Sequence, residues 1–126
     1  MRIMDLVGTP WADGGRSLVR GVDCVGLALH CARVRGFEVG DPGVHLEQLV
    51  RATEIDGESL VPRGWSRIGW VELDVGDLLV TGRCCADHVA IVAEHGYALT
   101  TSRRSGATLV PLYRLRPLVR SCWRPT

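Results

Sequence analysis

The sequence predicts an α+β fold in which N-terminal helices precede an antiparallel β-sheet. Two observations carry this. The most continuous apolar helical segment, residues 24–35, lies early in the chain behind a glycine-dense loop. From residue 77 onward the apolar residues recur with a period of two, in short segments separated by Gly-containing turns, which is the pattern of strands. Helices first and a meander of strands afterwards is the order of α+β domains, not of alternating α/β folds.

Residues 7–23 read as loop, punctuated by Gly8, Pro10, Gly14, Gly15 and Gly21. The helix that follows starts at Cys24, with Asp23 placed as its N-cap and Gly36 as the residue that ends it. Its only polar residues are His30, Arg33 and Arg35, so it is expected to be mostly buried. A second helix fits His45 to Thr53, where Leu46, Leu49 and Val50 share one face. Residues 54–76 read as a long polar connection containing Trp65 and Trp70. Strands are expected at Asp77–Thr81, His88–Glu94, Tyr97–Ser102 and Ala107–Leu112, and a last strand or short helix at Leu118–Trp123.

The 126 residues suit one domain, and 46% apolar with 23% charged residues is ordinary globular composition. No apolar stretch is long enough for a membrane span. The opening Met-Arg-Ile-Met-Asp lacks the apolar core of a secretory signal, so synthesis and folding in a cytoplasm are expected. A net charge of +1 argues against a nucleic-acid partner. The charge is uneven, however. Arg103, Arg104, Arg114, Arg116, Arg120 and Arg124 follow Glu94, and no acid does. That quarter is a solvated face or a docking face for an acidic partner.

Five cysteines with no framework spacing fit thiols better than a disulfide scaffold. Cys84, Cys85 and His88 lack the second ligand pair of a zinc site. No metal and no cofactor are expected. Cys24 is the informative residue. At the first turn of a helix, unpaired N–H groups and the helix dipole favour a thiolate. A nucleophilic cysteine also needs a base, and His88 opens the most strand-like segment. The bland alternatives are a buried apolar cysteine and a half-buried surface histidine.

Further strings sharpen this reading. GTPWADGG at residues 8–15 and GVDCVGL at 21–27 are followed by GDLL at 76–79, DHVAI at 87–91 and CWRP at 122–125. Together these blocks resemble the NlpC family of cell-wall cysteine peptidases, closest to the stand-alone branch associated with phage tails and gene-transfer particles. The resemblance covers most of the chain. It implies a small papain-like fold with the nucleophile helix packed on an antiparallel sheet. It also implies cleavage of peptidoglycan stem peptides, typically beside D-glutamate and diaminopimelate, with Cys24 as nucleophile and His88 as general base. The family's third catalytic position, usually His, falls at Thr100. Trp11 stands where many relatives carry a Tyr near the nucleophile, and an indole cannot accept a hydrogen bond as a hydroxyl does.

Four residues are candidate substrate contacts. Trp11 is one. Asp23 either caps the helix or touches substrate. Arg16 and Arg20 are either solvated or meet a stem-peptide carboxylate. The expected protein is a phage-tail-associated peptidoglycan hydrolase, a thiol endopeptidase or amidase assembled in the host cytoplasm with other tail-tip or hub proteins and acting at the wall. The alternative is a structural tail-tip component that keeps the peptidase fold with weak or no catalysis.

Overall fold

The structure, a computed structural model, describes residues 1–41, 64–83 and 88–126. The helix expected over His45–Thr53 and the Cys84–Cys85 pair lie outside the described residues.

Helix α1 spans Cys24–Val34. Asp23, in extended conformation, caps it by accepting a hydrogen bond from the Gly26 amide at 2.8 Å. Gly36 then takes the chain out at φ +86°, a left-handed conformation that glycine adopts without steric cost. Eight of the eleven helical residues are buried. Hiding side chains such as Val25, Leu27 and Leu29 contributes about 1.5–3 kcal/mol each.

The preceding loop holds a small antiparallel hairpin, β1 (Arg16–Ser17) and β2 (Gly21–Val22). Its glycines serve close approach. A Cβ on Gly26 would overlap the Gly15 carbonyl oxygen, and one on Gly15 would overlap that of Gly21. The glycine-dense stretch is therefore a packed collar around the start of α1.

The main sheet contains β3 (Trp65–Ile68), β4 (Leu78–Thr81), β5 (His88–Val92), β6 (Tyr97–Ser102), β7 (Gly106–Pro111) and β8 (Val119–Pro125). Its spatial order is β3-β8-β4-β5-β6-β7, all antiparallel. Strands β4 to β7 form the expected meander. Strand β8 does not extend it. It returns through a short helix (Leu112–Leu115) and a 3-10 turn (Arg116–Leu118) to lie between β3 and β4. Strand β3 falls inside the stretch read as a connection, because its four residues, WSRI, acquire strand character only by pairing with β8.

Helix α1 packs on β5 and β6. Val25, Leu27, Ile91, Leu99 and Trp123 belong to one core cluster, and Leu79, Ala90, Val92, Ala98 and Cys122 gather in a second. The sheet is locked by Arg124 on β8, which donates to both carboxylate oxygens of buried Asp77 at 3.0 and 2.8 Å and to the Glu72 carbonyl at 2.7 Å.

Candidate active site

Cys24 occupies the first position of α1 and is 6% exposed. The helix start around it is fixed from beneath. Asp23 is fully buried, and the oxygen that caps Gly26 also accepts from Arg16 Nη1 at 2.9 Å. Arg16 further donates to the Gly15 carbonyl at 2.9 Å and, through Nε, to Asp41 at 3.0 Å. His30, two turns along α1, donates through Nε2 to the Arg16 carbonyl at 2.6 Å. Asp23 is thus a cap beneath the helix and not a substrate contact: full burial takes it out of reach. Arg16, its side chain 25% exposed, has its guanidinium held by two of the protein's own carboxylates, Asp23 and Asp41. Arg20 stands exposed in the β1–β2 turn, its amide bonded to Ser17 Oγ at 3.1 Å, outside the groove described below.

His88 is the first residue of β5 and half-buried. Its Nε2 lies 2.9 Å from Thr100 Oγ1 on β6. The two residues sit on the strands against which α1 packs. When the Thr100 oxygen accepts, Nε2 carries the proton and Nδ1 presents its lone pair, which is the tautomer a base acting through Nδ1 requires. His95, the other nearby imidazole, lies in the exposed Glu94–Gly96 turn at φ 61°.

A groove of about 490 Å³ opens beside this pair, lined by Trp11, His88, Thr100, Arg103 and Arg104 together with the hydroxyl residues Thr101, Ser102 and Thr108. Trp11 donates its indole N–H to Asp13 Oδ1 at 2.9 Å, and Arg103 Nε meets the same oxygen at 3.2 Å. Asp13 therefore holds one wall of the groove to its rim. The indole N–H is spent on this contact, so Trp11 offers the groove a ring face. Asp13 is absent from the residues singled out in the sequence, where Arg103 and Arg104 figure in the arginine-bearing C-terminal quarter and not among the candidate site residues. The available signal was the arginine pair in a turn between two predicted strands.

Two further arginines of the C-terminal quarter have partners within the protein. Arg124 is held by Asp77, and Arg116 stacks over the Trp70 ring at 4.3 Å. Burial pushes the Cys31 and Cys122 thiols up from their ordinary range, which makes both poor nucleophiles. Among the described residues no three His, Cys, Asp or Glu side chains are grouped to hold a metal ion.

No protein-family model matches the sequence, and no curated protein does. Solved structures do. The P60 domain of an antigen from M. avium subspecies paratuberculosis superposes with a TM-score of 0.61 at 20% identity, covering 98% of this chain and 88% of that one. This chain has the NlpC/p60 fold. The peptidoglycan hydrolase RipB of Mycobacterium tuberculosis gives a TM-score of 0.64 at 20% identity, over 98% of this chain and 60% of its own length. RipD of the same organism, described as a non-catalytic NlpC/p60 domain protein adapted to peptidoglycan binding, gives 0.62 at 17% identity over 98% and 91%. The papain-like α+β architecture is thereby established, and at these identities the likeness is one of fold.

Proposed function

We propose that this chain is a cysteine peptidase or amidase of peptidoglycan stem peptides. Cys24 is the nucleophile, His88 the general base and Thr100 the hydroxyl that orients the imidazole. The observation that carries the reading is the 2.9 Å contact between His88 Nε2 and Thr100 Oγ1, on strands that support the helix bearing Cys24. The fold shared with RipB, a peptidoglycan hydrolase, supports the substrate class.

His88 takes the proton from the Cys24 thiol, and the thiolate attacks the scissile carbonyl carbon. Backbone N–H groups at the start of α1, including that of Cys24, hold the oxyanion. The carbon–nitrogen bond breaks as the imidazolium returns its proton to the leaving amine. Water, deprotonated by His88, then hydrolyses the thioester and frees the thiol. Incubating purified peptidoglycan with the wild-type chain and with Cys24→Ala tests this: new amino termini are expected from the first and none from the second. Equal release from both excludes the mechanism.

The setting we infer is a phage-like tail, where the chain joins other tail-tip or hub proteins and acts at the bacterial wall. The sequence blocks shared with the tail-associated branch support it. A second reading, a wall-binding or structural domain with little catalysis, is favoured by one observation. Thr100 offers His88 a neutral hydroxyl where the family usually has an imidazole, and RipD is a non-catalytic protein of the same fold.

A further inference from the structure

Two opposing fields meet at the start of α1. The amides of its first turn and the helix dipole place about half a positive charge beside Cys24. Asp23, one residue earlier, puts a full negative charge at the same end, buried and bonded to the Gly26 amide at 2.8 Å. Left alone, this carboxylate outweighs the dipole and sets the helix start against a thiolate, since both residues are buried from screening water. The cap that begins the helix therefore works against the nucleophile the helix carries.

Arg16 resolves the conflict. Its Nη1 lies 2.9 Å from the capping oxygen, Asp23 Oδ1. The same guanidinium reaches Asp41 through Nε at 3.0 Å, but that carboxylate is 44% exposed and screened by water. His30 fixes the residue by donating to the Arg16 carbonyl at 2.6 Å. The strands packed on α1 are β1, β2, β5 and β6. Beyond Arg16 on β1 they carry two ionisable side chains, His88 on β5 and Tyr97 on β6, and α1 adds His30, Cys31 and Arg33 to Cys24. Tyr97 and Arg33 are exposed, and burial pushes the Cys31 thiol up, which keeps it neutral. Among the described residues of these elements, the Asp23–Arg16 pair and His88 are thus the charges that bear on the Cys24 sulfur.

We propose that Arg16 tunes the nucleophile through Asp23. Its guanidinium cancels the charge of the cap, so the helix keeps its aspartate and Cys24 keeps the positive field of the helix start. Cys24 as the reacting thiol is taken from the reading above. An asparagine or serine would cap the helix without this charge. The aspartate–arginine pair adds what they lack, a charge-assisted bond that ties the helix start to β1.

The readout is the pH at which alkylation of Cys24 by iodoacetamide reaches half its maximal rate, followed by mass spectrometry. It is compared in wild type, Arg16→Met, Asp23→Asn and the variant carrying both changes. Asparagine still caps, and in Asp23→Asn the guanidinium keeps Asp41. Arg16→Met should raise the midpoint by about one pH unit and Asp23→Asn should lower it by a similar amount. The double variant, with both charges gone, should return close to the wild-type midpoint. A merely structural Arg16 gives another pattern, in which the double variant is displaced as far as Arg16→Met or further. That pattern, or shifts of the same sign in both single variants, overturns the proposal. So does an unmoved midpoint in Asp23→Asn, which is readable even if Arg16→Met fails to fold. Midpoints that move as stated in a chain that leaves peptidoglycan uncut would remove the peptidase and keep the charge compensation. Unmoved midpoints in a chain that cuts would remove the compensation alone.

Discussion

The imidazole of His88 and the hydroxyl of Thr100 are joined across β5 and β6 by a 2.9 Å contact through Nε2. A neutral hydroxyl fixes the ring's orientation and tautomer, yet it gives an imidazolium less electrostatic support than a charged or ring-nitrogen partner would. This one geometry sets how strong the proposed catalysis can be.

Thr100→Val removes the hydroxyl at nearly constant volume. We expect kcat/KM on stem peptide to fall about 10- to 100-fold, within the ~10⁴-fold range for losing an orienting group, with little change in melting temperature. Thr100→His is expected to recover or exceed wild-type turnover. Steady-state kinetics of the two variants checks this, and a Thr100→Val enzyme as fast as wild type would deny the hydroxyl its role.

Arg16→Met strips buried Asp23 of a guanidinium partner at 2.9 Å. Breaking one side of a buried ion pair costs about 3–5 kcal/mol, which for a domain of this size lowers the melting temperature by roughly 10–20 °C. Thermal unfolding followed by circular dichroism gives the answer. Restoration by Arg16→Lys should be incomplete, because a single ammonium cannot serve Asp23, Asp41 and the Gly15 carbonyl together.

Gly26→Ala places a methyl against the Gly15 carbonyl oxygen. Although alanine is the better helix former, the overlap forces the collar away from α1, and a net loss of about 1–3 kcal/mol is expected. Urea unfolding measures it. The collar also sets the first turn of α1, so Cys24 reactivity should change in the same variant.

Much of this was legible in the chain, and the gaps have physical causes. The cap at Asp23, the start of α1 and the limits of β6 follow from local chemistry: a short acidic side chain before an apolar helix, and alternation between glycine turns. Strand β3 and the position of β8 do not, because WSRI becomes a strand only when Cys122–Pro125 returns beside it. The arginines show the same divide. Arg16 and Arg103 are alike in sequence context, each beside a glycine-containing turn, and only tertiary structure puts the first under a helix and the second on a groove.

Acid should loosen the N-terminus. The Glu94 carboxylate accepts the Ile3 and Met4 amides at 3.0 and 2.9 Å. Burial pushes its pKa up, but those backbone hydrogen bonds and the Arg2 charge outweigh it and hold Glu94 below its ordinary value near 4.5. A carboxyl depressed in the folded state contributes stability above its unfolded value and loses it as pH falls through the lower folded one. The acid limb of the stability curve should therefore begin below about pH 4.5 and flatten in Glu94→Gln. Hydrogen exchange at Ile3 and Met4 should rise over the same interval.

The most direct test of the central claim is the rate of Cys24 alkylation by iodoacetamide as a function of pH, read by mass spectrometry in wild type and His88→Ala. Cys31 and Cys122, their thiols raised by burial, serve as internal controls. The account predicts labelling of Cys24 that is already fast near pH 6 and is lost with His88. Labelling that climbs only near the ordinary thiol range of about 8.5, alike in both proteins, would contradict a Cys24–His88 dyad and leave the wall-binding reading in its place.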